Sequence, residues 1–548
     1  MKHLIYFISV VTLLLTGANV RAQQAQTSSG VYVTYVGGQL YGTDTYTLTT
    51  NADGSVEAQA EVSFNNATFK AVTRAVQNKP VSFTRESPGA PQLVVEFANG
   101  TVKMKSQGQP VAEVKGQPTV LLENGAWHQF LFLFAQYDPA HKGSQSFNAF
   151  VPSAGVPFTL DLERIDAPSF KVGAQQVATE HFRAGTSLGL DFEMWTDADH
   201  VPVVILIPAQ NIRVIRKGSE ALAEAITAKP ASSANDPFTS DEVSFQNGTQ
   251  KLVGTLTVPK KSGAPFPGVV IISGSGMQDR DGASLLSLYR LIAEKLSANG
   301  VAVLRVDDRG VGKSVPLASA ATSYRDLIND SKAAFEFMCN RPQIDRKKVG
   351  LAGHSEGALT ALMIAAEDPR VAAVMVLAGG SRSLDRLLVE QTLNGLALKS
   401  PVNPSDQSRY PLIVTQLNKL FHDVRTQPKP ADPATDKFAY FRQHLEIDPL
   451  AVARRVHVPT LILNGERDEN VLPYHALELA QAMADSSNKQ VLVRIFVNLT
   501  HVFTPSTRDN SVTSAQAREV SPEFLDLLQS WAANVLVLGK DGGSVPEK

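Results

Sequence analysis

Gly353-His354-Ser355-Glu356-Gly357 carries the residue types of a nucleophile held on a sharp turn. A short apolar run, Val349 to Ala352, leads into it, and a small, Leu-rich segment follows. A strand turning directly into a helix puts the serine in a strained, positive-φ bend. Side chains two positions away on either side would collide there, hence the glycines. Ser355 then stands at a helix N-terminus, where the Glu356 backbone N–H can meet a developing oxyanion.

A serine hydroxyl needs an imidazole to take its proton, and the imidazole needs an acid to fix its tautomer. In a strand–elbow–helix arrangement those partners come later in the chain, acid before histidine. Between the elbow and the last buried strand lie His422 and His444, in a helical insertion, His457, before a strand, and His475, opening a helix. His501 alone follows the last strand, in Asn498-Leu499-Thr500-His501, and is the expected base. The acid belongs just past Leu461-Ile462-Leu463, where Glu466, Asp468 and Glu469 compete. Asp468, after the tight Gly465 turn, is the favoured choice, with the other two as solvated neighbours. A second oxyanion donor is expected in Ser273-Gly274-Ser275-Gly276-Met277-Gln278-Asp279-Arg280-Asp281-Gly282, where no bulky Cβ shields the backbone N–H groups. Ser275 is the preferred donor and Gly276 the alternative.

The elements that must hold these residues fall into two grammars. From about Val31 to Arg216 the pattern has period two, with strand-like runs at Val31–Val36, Tyr46–Thr50, Ser55–Phe64, Gln92–Phe97, Trp127–Ala135, Leu188–Trp195 and Val201–Pro208. This predicts a mainly antiparallel β domain with one buried face, with Trp127, His128 and Trp195 as half-buried sheet residues. A helix and linker follow, over 218–240. Beyond it a hairpin (Glu242–Thr249 and Lys251–Val258) precedes all-apolar strands at Gly268–Ile272, Val301–Leu304, Val371–Leu377, Thr460–Leu463 and Val491–Val497, alternating with helices. That is an α/β fold with a mostly parallel sheet and right-handed crossovers. Ser381 to Pro449 interrupts it with helical runs and Pro-rich loops but no strand, and is expected to cap the carboxyl ends of the sheet. The expected organisation is therefore 1–22 signal peptide, 23–217 β domain, 218–240 helix and linker, 241–380 first core part, 381–450 cap and 451–540 second core part.

The chain has 548 residues, 43% hydrophobic and 19% charged, with formal net charge −2, so nothing advertises nucleic acid or an anionic membrane surface. Met1-Lys2-His3, the apolar run Leu4–Leu15 and Val20-Arg21-Ala22 read as a signal peptide cut after Ala22, leaving no integral membrane segment. Export to the periplasm or outside a bacterial cell is the expectation. The lone cysteine, Cys339, excludes an intrachain disulfide and a multi-cysteine metal site. Gly312-Lys313-Ser314 is not a phosphate loop, because Asp307 occupies the position where that motif needs its first glycine.

Taken together, Ser273-Gly274-Ser275-Gly276 with Asp279-Arg280-Asp281-Gly282, Asp308-Arg309-Gly310-x-Gly312-x-Ser314, the Ser355 elbow, the Asp468 loop and His501 resemble the α/β-hydrolase superfamily. Within it, about Asp241 to Val537 looks like bacterial acyl esterases with a G-S-G-x-x-D-R-D-G loop, related to dienelactone-hydrolase-like and acyl-peptidase-like enzymes. One departure is Ser273, where many relatives carry histidine. The resemblance implies an exported serine carboxylesterase acting on a small-molecule ester through Ser355, Asp468 and His501, with Ser275 and Glu356 N–H groups as oxyanion donors and with no metal or organic cofactor. A serine peptidase or amidase on the same fold, and a non-catalytic ligand-binding protein on that scaffold, are the alternatives.

Overall fold

The structure, a computed structural model, describes residues 26–539 apart from 37, 65–66, 107–110, 187–189, 208–209, 211, 228–234, 262, 316–321, 399–408, 432–434, 437, 507–511 and 513–515. The expected signal peptide and much of the expected linker lie outside the described residues.

Alternation of buried and exposed positions builds the N-terminal part as one 15-stranded sheet. In Ser55–Phe64, for example, Val56, Ala58, Ala60 and Val62 point inward while their neighbours face out. Antiparallel pairing runs from the edge strand Ala112–Lys115 back to Gln26–Val36. That strand then pairs with Ile212–Arg216, and the ladder continues to Gln145–Val151. Only the short strand Val120–Leu121 joins in parallel. Both arms feed one apolar core, in which Phe83 and Val95 share a cluster with Phe182 and Met194.

Trp127–Ala135 corrects the expectation of a strand. Trp127–Gln129 is a 3₁₀ turn and Phe130–Phe134 a short α-helix. Phe130-Leu131-Phe132-Leu133-Phe134 has no polar face, so its periodicity could not distinguish strand from helix. The segment fills the interior of the curved sheet, where a chain without strand partners satisfies its own backbone by coiling. Trp127 and His128 are accordingly buried rather than half-buried sheet residues. His128 lies against Asp44, with Nδ1 2.9 Å from Oδ2 and its backbone N–H donating to the same oxygen at 2.7 Å. Trp195 does sit on a strand, stacked on His181 at 4.3 Å.

The C-terminal part is an eight-stranded sheet. Its strands are β1 (Phe238–Asn247), β2 (Gln250–Pro259), β3 (Phe266–Ile272), β4 (Ala302–Val306), β5 (Ile344–His354), β6 (Val374–Leu377), β7 (Thr460–Gly465) and β8 (Val491–Phe496), in the order 1-2-4-3-5-6-7-8. β2 is antiparallel to both its neighbours, and the rest pair in parallel. Both faces are covered, as parallel strands require. Along β3, Val270 and Ile272 face one helical layer while Val269 and Ile271 face the other. The first layer holds α2 (Tyr324–Cys339), α3 (Glu356–Glu367) and α8 (Tyr474–Asp485); the second holds α1 (Leu288–Ala298) and α9 (Pro522–Ala532). A capping box between Ser323 and Asp326 starts α2.

Between β6 and β7 the insertion is helical, with α4 (Leu384–Ala397), α5 (Arg409–Thr426), α6 (Ala439–Leu445) and α7 (Pro449–Ala453) and no strand among the described residues. It reaches the carboxyl ends of the sheet. Asn394 of α4 donates to the Glu469 carbonyl in the loop after β7, and Tyr440 of α6 donates to the Glu356 carboxylate.

Candidate active site

β5 ends at His354 and α3 begins at Glu356, so Ser355 alone makes the bend, with φ 55° and ψ −117°. Such a conformation costs on the order of 1–3 kcal/mol and persists only where its surroundings impose it. The imposition is visible: Ser355 N–H donates to the Leu377 carbonyl at 2.8 Å across the sheet. A Cβ on Gly353 would sit 2.1 Å from the Gly357 carbonyl oxygen, and one on Gly357 2.3 Å from the Ser273 carbonyl oxygen. No real side chain fits either gap, so the glycines are set by steric closeness.

His501 lies in the loop after β8 and Asp468 in the loop after β7. His501 Nδ1 is 2.8 Å from Asp468 Oδ2. The Asp468 side chain is wholly shielded from solvent, and its Oδ1 accepts backbone N–H groups from Asn470 at 2.9 Å and Val471 at 2.8 Å. A carboxylate so held presents Oδ2 in one direction. It fixes the imidazole with Nδ1–H toward the acid and leaves Nε2 as a base. Glu466 is exposed and accepts from Asn498 N–H at 3.0 Å. Of the three competing acids, Asp468 contacts His501 among the described residues.

Ser355 and His501 border one cavity of about 470 Å³, together with Ser275, Gly276, Gln391 of the cap and Gln210 of the N-terminal part. Among the described residues no hydrogen bond joins Ser355 Oγ to His501. Such bonds are often long before substrate binds and tighten in the complex. Gly274 N–H donates to the Tyr289 hydroxyl at 3.0 Å and Gln278 N–H to Asp308 Oδ2 at 2.9 Å, which commits those two groups; Ser275, Gly276 and Met277 also line the cavity. The Glu356 side chain turns away into the cap, where His444 Nε2 lies 3.2 Å from it, while its N–H stays at the start of α3.

Residues that sequence reasoning did not assign support this geometry. His354 Nε2 lies 3.1 Å from the His501 carbonyl oxygen, and Nδ1 lies 3.4 Å from the Tyr289 hydroxyl. Burial, aided by the nearby His501, pushes the His354 pKa down to about 3, so the ring is neutral and Nε2–H is the donor. Tyr289 in turn donates to Gln278 Oε1 at 2.7 Å. Ser273, the residue departing from the family pattern, donates to Asp308 Oδ1 at 2.6 Å, and Gln278 N–H donates to Oδ2 at 2.9 Å. Burial raises the Asp308 carboxyl to about 7. Elsewhere the same loop serves structure. Arg280 pairs with buried Asp307 through Nη2 at 2.6 Å, and Asp281 pairs with Arg305. Lys313 N–H donates to Asp307 Oδ2 and Ser314 Oγ accepts from Val253 N–H, so the Gly-Lys-Ser segment closes a turn.

A family model described as serine aminopeptidase, S33, matches residues 282–503. Esterase EstD of Thermotoga maritima is 28% identical over 285 residues, 51% of this chain and 65% of that protein. Thiohydrolase apmlB of Arthrinium phaeospermum is 34% identical over 90 residues, 16% of this chain and 29% of that protein. The chain thus spans less than two thirds of the length of both curated relatives. Among solved structures, a Pyrococcus furiosus esterase superposes with TM-score 0.36 and 17% identity, over 56% of this chain and 96% of that one. The sheet order and the elbow give the C-terminal part of this chain the α/β-hydrolase fold, and the family match spans Ser355, Asp468 and His501.

Proposed function

We propose that the protein is an exported serine carboxylesterase that works through an acyl-enzyme. The observation that carries the reading is the His501–Asp468 pair, 2.8 Å apart, whose imidazole borders the cavity that also receives Ser355. Ser355 Oγ attacks the ester carbonyl carbon while its proton passes to His501 Nε2. The Ser275 and Glu356 N–H groups donate to the oxyanion. Collapse breaks the bond to the alcohol oxygen, which takes the proton back from His501. Water then repeats the cycle on the acyl-enzyme, with His501 as base, and frees the acid and Ser355. Asp468 keeps the ring in the working tautomer throughout. No step calls for a metal or organic cofactor.

The S33 match favours a second reading, a peptidase or amidase using the same groups. Purified protein assayed on short p-nitrophenyl esters beside aminoacyl anilides separates the two. Ester turnover with at most trace anilide turnover is the expected result, and anilide turnover alone overturns it. Export is tested on the mature N-terminus of protein recovered from a bacterial host, expected at Gln23; an intact Met1 in the soluble fraction would reject it.

A further inference from the structure

The N-terminal sheet encloses a cavity of about 300 Å³ that the reaction above does not use. Its walls are mostly apolar, with Phe64, Trp127, Phe130, Phe158, Leu190 and Phe192 among them. The acid on its rim is already satisfied. Glu123 accepts Ser153 Oγ at 2.6 Å and Ser153 N–H at 2.8 Å, and lies 3.3 Å from Arg85. This leaves space that favours hydrocarbon. It is roughly twice the ~150 Å³ apolar cavity known to take up benzene, enough for an acyl chain of about eight to ten carbons.

Position gives the cavity its partner. Gln210 borders it and also borders the cavity that holds Ser355 and His501. Val36, the last residue of the strand Gln26–Val36, borders the catalytic cavity as well. The sheet therefore supplies wall to the space around the nucleophile and, on the far side of Gln210, an apolar chamber beside it. Gln210 thus stands between the space around Ser355 and a hydrocarbon-lined one.

We propose that the chamber in the N-terminal sheet receives the acyl chain of the ester whose carbonyl is attacked by Ser355, so that the sheet selects medium and long acyl chains. The inference rests on the esterase reading. Each methylene buried there strengthens binding by about fourfold, so preference climbs with chain length until the chamber is full.

The test uses the full chain and p-nitrophenyl esters of acetate, butyrate, octanoate and dodecanoate. The wild-type octanoate-to-acetate ratio of kcat/KM is expected to exceed one. Leu190→Trp, which fills the chamber, is expected to lower that ratio about tenfold, and Phe192→Ala, which enlarges it, to move the optimum toward dodecanoate. Folding of each variant is checked by its unfolding midpoint. Independently, decanoate added to Ser355→Ala is expected to change the fluorescence of Trp127, with Trp127→Phe as the control that loses the signal. Ester turnover whose chain-length profile is the same in wild type and both variants would overturn the chamber assignment alone. Absence of turnover on every ester would overturn the esterase reading and the acyl role with it.

Discussion

His354 Nε2 donates to the backbone carbonyl of His501 at 3.1 Å, so the residue before the elbow serine ties down the loop bearing the imidazole. Nucleophile and base, carried on β5 and on the loop after β8, share one rigid joint. Its donor is a neutral ring, because full burial opposes the charged form.

His354→Phe removes the donor and leaves the His501 carbonyl without it. A loss of about tenfold or more in kcat with little change in KM is expected, because small displacements of a catalytic group are costly. His354→Gln, which keeps an N–H donor, should recover part of it. The pH dependence of stability gives a second readout. The unfolded side chain titrates near ~6.5 and the folded one near 3. Below the unfolded value the unfolded chain therefore binds the extra proton. Stability is full above it and falls as pH drops from 6.5 toward 3, by up to ~1.4 kcal/mol per pH unit. Denaturant titrations across that range should show this slope diminished in His354→Gln.

Gly357→Ala sets two effects against each other. Alanine favours a helix over glycine by about 1 kcal/mol. The new Cβ, however, meets the Ser273 and Ile272 carbonyl oxygens at 2.3 and 2.4 Å, which are backbone atoms at and just past the end of β3. The clash should win, with a net loss of about 2–5 kcal/mol in unfolding free energy. An unfolding midpoint equal to the wild type would show that the elbow has more room than its geometry implies.

Asp468→Asn preserves the shape that accepts the Asn470 and Val471 N–H groups, yet its amide no longer enforces the Nδ1–H tautomer of His501. Ester turnover should fall by about 10³–10⁴-fold. Glu466→Gln, at the exposed neighbour, should stay within about twofold.

What was legible in the sequence depended on how local the cause was. The elbow glycines flank Ser355 two residues to either side, a spacing that can be read although Gly357 clears the distant Ser273 carbonyl, and the β3 run Gly268–Ile272 is apolar throughout because both its faces are covered. Trp127–Ala135 was illegible for the opposite reason. Its apolar residues are buried on all sides, so no period survives, and only the surrounding sheet decides for a helix. The role of His354 depends on a carbonyl 147 residues away, and Gln210 acquires meaning only once two cavities meet at it. Pairings at such separations leave no spacing to read.

The central claim is that Ser355 is the nucleophile, and covalent labelling tests it most directly. Purified wild-type protein treated with a fluorophosphonate, digested and analysed by peptide mass should carry a single adduct on Ser355. Esterase activity should be lost in proportion to labelling, and Ser355→Ala should take up no label. Full activity in a protein that carries no adduct, or an adduct on another serine that tracks the loss of activity, would contradict the account.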